Sequence, residues 1–102
     1  MIRVVADHAE GELVLRAEGH ATGRPEVCAA VSALAYTLAG WIIARALENA
    51  WPEGRWEARI DKGSACLRMP WTARSEHAFD LIRLGLEQVA AAAPDAVSVC
   101  VE

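Results

Sequence analysis

Cysteine is scarce and odd in number. The 102 residues hold three, Cys28, Cys66 and Cys100, and an odd set without regular spacing does not build a disulfide framework. No Cys-x-x-Cys occurs, which removes the zinc-ribbon and thioredoxin-like readings. No two ligand-type residues fall at a ligand spacing on one helix face, so no metal site emerges, and nothing signals a cofactor. Basic residues are also few. Ten Lys and Arg stand against fourteen Asp and Glu, with a net charge of −4 and a pI near 5.3. The ten are scattered, whereas a protein that grips nucleic acid by its phosphates shows a basic stripe. No apolar signal core precedes the first acid in Met1-Ile2-Arg3-Val4-Val5-Ala6-Asp7. Together these absences describe a reducing, cytoplasmic setting. There is no internal repeat, linker or low-complexity tail. The length suits one domain, residues 1–102, with one core.

What is abundant is apolar surface: 54% of the residues are hydrophobic. Val27 to Ala44 is a run of eighteen residues without a charge, near the length of a membrane span. It contains Ser32, Thr37, Gly40 and six alanines, and Glu26 and Arg45 flank it without a basic cluster on either side. A helix buried in a small domain and at a dimer contact accounts for it, with no membrane required.

The remaining pattern predicts ββαββαβ. Ile2 to Asp7 and Glu12 to Glu18 alternate as strands around a Glu10-Gly11 turn. Pro25 suits a first helical position, and the long central helix runs to about Asn49, short of Pro52. Gly40 within it marks a close contact or a bend. Arg55 to Asp61 and Ser64 to Met69 form a second hairpin about Lys62-Gly63. Ser75 is the expected cap of a second helix, roughly Glu76 to Ala93. Val97, Val99 and Val101 then face the core from a last strand. The fold class is α+β: a mostly antiparallel sheet with the long central helix and the second helix packed on it. His8 is expected in the hairpin turn and His77 on the surface of the second helix.

The stretch from Gly19 to Leu34 carries the chemistry. His20 sits in a loop just past a strand, and Cys28 in the first turn or so of the helix that follows. A helix N-terminus favours thiolate, an imidazolium pairs with it, and Arg24 lies nearby in sequence, while Glu26 opposes all three. His20 would then be general base and later general acid. Backbone N–H groups of the first turn, Cys28 included, would hold an oxyanion. Ser32 lies one turn beyond Cys28 on the same face. Taken singly, each residue has a plain reading. Cysteine is among the most buried residue types, a lone histidine beside glycine is an ordinary loop residue, and Gly19 and Gly23 make turns. Spacing alone does not choose between these readings.

Gly19-His20-Ala21, a short glycine-containing loop, and Val27-Cys28-Ala29-Ala30-Val31-Ser32-Ala33-Leu34 resemble the ribosomal-processing cysteine proteases, the Prp family. Thr37-Leu38 in the long helix, both hairpins, and Leu84-Gly85-Leu86 before the final strand extend the resemblance over essentially the whole chain. It implies a His20–Cys28 dyad that removes a short N-terminal extension from a large-subunit ribosomal protein precursor, or processes a phage capsid precursor. It also implies a homodimer, and a mobile loop hinged at Gly19 and Gly23 that orders around the peptide. The family usually has a longer segment between histidine and cysteine, with aspartate three residues before the cysteine. Here Pro25 holds that position, and Glu26 is one residue off. The alternative reading is a non-catalytic dimeric binding protein on the same fold.

Overall fold

Alternation along the first two strands turns every second side chain inward. Ile2, Val4 and Ala6 from β1 (Ile2–Ala9) and Leu13, Leu15 and Ala17 from β2 (Glu12–Glu18) are all buried. The antiparallel register sets Val4 opposite Ala17 and Ala6 opposite Leu15, so these residues share one face. β4 (Ser64–Pro70) joins β2 antiparallel and adds Ala65, Leu67 and Met69 to that face. β3 (Glu57–Asp61) pairs antiparallel on the far side of β4, and β5 (Val97–Val101) pairs parallel with β1. The five-stranded sheet has the order β3-β4-β2-β1-β5. With α1 (Pro25–Asn49) and α2 (Ala73–Ala92) the chain order is ββαββαβ, as the pattern predicts, in an α+β fold. The computed structural model describes residues 1–102.

Both helices cover the apolar face of the sheet. α1 presents Val27, Val31, Ala35, Leu38, Ile42 and Ala46 to it, spaced by three or four residues, and α2 presents Phe79, Ile82 and Leu86. Leu13, Leu15, Leu38, Ile42, Leu67, Met69 and Leu86 are almost wholly removed from solvent. Each such side chain contributes about 1.5–3 kcal/mol of transfer free energy. The opposite face of the sheet carries the charged side chains of the strands, although Val14 on that face is also buried. Arg68 donates to Glu12 at 3.1 Å, and Arg59 to Asp61 at 2.6 Å.

Several local expectations are corrected. Thr72, not Ser75, caps α2: its hydroxyl accepts from the Ser75 amide at 2.9 Å, and Ser75 itself is buried in the first turn. β3 starts at Glu57 rather than Arg55 because the Arg55 amide is drawn back to the Pro52 carbonyl, 3.1 Å away. Val97 is buried, but Val101 is exposed at the end of an edge strand. His8 lies within β1 rather than the turn, and its ring stacks on Trp71 at 5.9 Å. His77 is on the exposed side of α2, as expected.

α1 is long and apolar enough to span a bilayer, but only one stripe of it is buried. Tyr36, Ile43 and Leu47 stand on another face, exposed. Gly40 lies between them, and a side chain there would meet open space. The tight helix–helix contact is instead at Gly85 of α2, where an added Cβ would lie 3.0 Å from a Leu34 methyl.

Candidate active site

β2 ends at Glu18, and the chain then crosses the mouth of the sheet to reach α1. Gly19 makes the first bend at φ +106°, a conformation that side chains rarely tolerate. Its α-carbon is pressed against the Met1 carbonyl, where no Cβ fits. Its amide donates to the Gly63 carbonyl at 3.0 Å. Gly19 therefore fastens the loop to two neighbouring strand ends. Ala21 follows with its methyl group buried. A turn closed by the Arg24 amide on the Ala21 carbonyl, at 3.0 Å, leads into α1 with Gly23 at φ +76°.

Pro25 is the first helical residue, as its fixed φ favours. Cys28 is the fourth, and its amide donates to the Arg24 carbonyl at 3.2 Å. That N–H belongs to the helix ladder and is not free for an oxyanion. The Cys28 thiol donates to the Ala21 carbonyl at 3.8 Å, a long bond in keeping with the size of sulfur. Arg24 does not turn toward the thiol. It donates to Glu26 at 2.8 Å and pairs with Asp95 at 3.2 Å, on the surface. The hydrogen bond from Arg24 holds the Glu26 carboxyl below the ordinary carboxylate range. Glu26 is thus engaged by Arg24, two residues before it.

His20 and Cys28 line the same cavity, of about 90 Å³, together with Gly19 and Ser32. Cys28 is half-buried, while His20 and Ser32 are exposed at its edge. Gly23 is outside it, in the turn that leads to the helix. The other wall is the turn between β3 and β4, which brings Asp61, Gly63 and Ser64 to the same space. Glu18 also borders it. The site thus carries a thiol, an imidazole and two carboxylates at its rim. Thiol and imidazole border one cavity. In this conformation the sulfur bonds the Ala21 carbonyl.

Asp61, Gly63 and Glu18 did not figure among the sequence candidates. A turn at Lys62-Gly63 is legible from its residue types, but its proximity to His20 is not. It follows from the register of β2 on β4, which sets Glu18 opposite Ser64. The other thiols lie elsewhere. Cys66 is on the face of the sheet with the charged side chains, where burial first and the Glu57 charge second push its thiol up. Cys100 is exposed on β5. No group of three His, Cys, Asp or Glu side chains is placed to hold a metal ion.

No protein-family model matches the sequence, and no curated protein matches it. Solved structures do match. The ribosomal processing protease Prp from Staphylococcus aureus, in complex with a substrate peptide, superposes with a TM-score of 0.77 at 18% identity, over 100% of both chains. The same protease with a covalently linked product peptide gives 0.74 at 19% identity, again over 100% of both. SMU.848 from Streptococcus mutans gives 0.71 at 22% identity, over 99% of this chain and 93% of that one. At these identities the comparison shows a shared fold, extending from end to end.

Proposed function

We propose that this chain is a cysteine endopeptidase that uses a His20–Cys28 dyad to remove the N-terminal extension of a large-subunit ribosomal protein precursor, or to process a phage capsid precursor. One observation carries the reading. On a fold shared with a protease solved around its substrate peptide, His20 and Cys28 border one cavity at the start of the long helix.

In the proposed reaction the imidazole takes the thiol proton and Cys28 sulfur attacks the scissile carbonyl. His20 returns the proton to the leaving amine, and a thioester forms as the C–N bond breaks. Water then attacks the thioester with His20 as base, releasing the new carboxylate and restoring the thiol. The ring and the sulfur must come together for the first step, so the thiol leaves the Ala21 carbonyl when substrate binds. Gly23, in the open turn between them, lets the loop adjust. Ser32, exposed one turn along α1, supports the substrate or the thiol. The dyad needs no third member, which accommodates Pro25 where the family has its acid. The reaction requires no cofactor.

We further propose a homodimer in the cytoplasm, acting on a peptide and engaging neither nucleic acid nor membrane. The stripe Tyr36, Gly40, Ile43 and Leu47 supports the dimer: it is apolar, exposed and at helical spacing.

The test is incubation of the purified protein with both classes of precursor, ribosomal and capsid. Wild type cuts one of them after a short apolar and aromatic segment, and Cys28→Ala cuts neither. Equal cutting by Cys28→Ala ends the proposal. The bond from the Cys28 thiol to the Ala21 carbonyl favours a second reading, a non-catalytic dimeric binding protein. In that case Cys28 reacts with iodoacetamide at pH 6 no faster than Cys66 and Cys100.

A further inference from the structure

We infer that Gly63, in the turn between β3 and β4, is the seat of the His20 imidazole and so a positioning residue for the dyad. This rests on the peptidase reading for its catalytic meaning, but the contact itself does not. Three observations converge on it. A Cβ added at Gly63 would stand 2.5 Å from His20 Nε2 and 2.9 Å from Cε1. The ring therefore occupies the space that any other residue would fill. The residue before the histidine is tied to the same glycine, through the Gly19 amide on the Gly63 carbonyl at 3.0 Å. The strand register, with Glu18 opposite Ser64, delivers the turn beside the loop and leaves both on the wall of one cavity. Backbone and ring of the His20 segment thus take their position from one point.

The physical consequence is specific. Ordinary contact begins near 3.4 Å, so a methyl group at Gly63 displaces the ring by roughly 1 Å. The neighbour that must yield is the end of a flexible side chain, so the imidazole moves and the fold remains. Gly63 also has φ +76°, which alanine adopts under strain. Gly11, in the turn between β1 and β2, provides the control. Its φ is +75°, and a Cβ there meets nothing within 4 Å.

The experiment compares Gly63→Ala with Gly11→Ala. Both lower the melting temperature to a similar extent. Only Gly63→Ala shifts the His20 ring resonances in a proton–carbon NMR spectrum and changes the pH profile of Cys28 carboxymethylation. In cleavage, kcat of Gly63→Ala falls about a hundredfold with KM little changed, the scale of a 1 Å misplacement. A Gly63→Ala protein that matches Gly11→Ala in His20 resonances and in kcat overturns the inference. Should Gly63→Ala fail to fold, the wild-type protein decides: a nuclear Overhauser effect between the His20 ring and the Gly63 α-protons supports the seat, and its absence removes it. A wild type that cuts no precursor sinks the peptidase reading alone, because the resonance comparison still reports on the contact.

Discussion

The Cys28 thiol donates to the carbonyl of Ala21, seven residues back, at 3.8 Å. That bond ties the first turn of α1 to the loop that carries His20. Cys28 and His20 both border one cavity, with the β3–β4 turn as its opposing wall. The arrangement gives each neighbouring residue a distinct and measurable part.

Replacing His20 by alanine separates chemistry from folding. His20 is an exposed residue, so the free energy of unfolding from urea titration should stay within about 0.5 kcal/mol of wild type. Processing should fall by about a hundredfold or more, the usual contribution of a general base. Timed digests followed by mass spectrometry measure the second quantity.

Gly19→Ala should behave in the opposite way. The new methyl group meets the Met1 carbonyl, which is backbone and cannot swing aside, at a φ of +106°. Overpacking and backbone strain together should cost about 2–4 kcal/mol. Urea denaturation at equilibrium reads this directly. Loss of activity in the variant should track the loss of folded protein.

Arg24→Ala should leave the alkylation rate of Cys28 nearly unchanged. Proximity in sequence suggests that the guanidinium assists the thiolate, but the structure commits it to Glu26 and Asp95 at the surface. The rate of carboxymethylation across pH 6–8, resolved by peptide mapping, checks this. A large drop would place Arg24 back among the groups that act on the sulfur.

Cys66 should label more slowly than Cys100 through the alkaline range, from about pH 8 upward. Burial and the Glu57 carboxylate favour its neutral form, so its pKa in the folded state lies above the unfolded value. The sign of the stability effect follows. The contribution is fully present below the unfolded thiol pKa and is lost as pH rises through the folded one. Cys66→Ala should therefore flatten the decline in stability above about pH 8.5.

Leu47→Glu should convert the proposed dimer to monomer without unfolding it. Leu47 is 79% exposed, so the charge costs nothing within one subunit. Buried against a second copy, the same carboxylate would be uncompensated. Sedimentation at several protein concentrations distinguishes the two states.

The order of elements was legible in the chain because each rests on local physics. Alternation in Ile2 to Ala6 and Leu13 to Ala17 marks half-buried strands. Pro25 and Pro52 bracket α1, and Lys62-Gly63 marks a turn. Where neighbouring residues compete for one role, local reading went astray. Thr72 and Ser75 are both able to cap α2, and packing decided between them by burying Ser75. Gly40 and Gly85 are both helical glycines, and only the way α1 meets α2 reveals which one the contact needs.

The candidate site divides along the same line. His20, Cys28 and Ser32 lie within one loop and the helix it leads into, so they could be named as candidates from the chain alone, and they line one cavity. Gly63, Asp61 and Glu18 came from folding alone, through the pairing of β2 with β4. Side-chain period and turn chemistry act over a few residues and are written into the chain directly. Which strand lies beside which depends on burying one common apolar face, and that free energy exists only once distant segments have met.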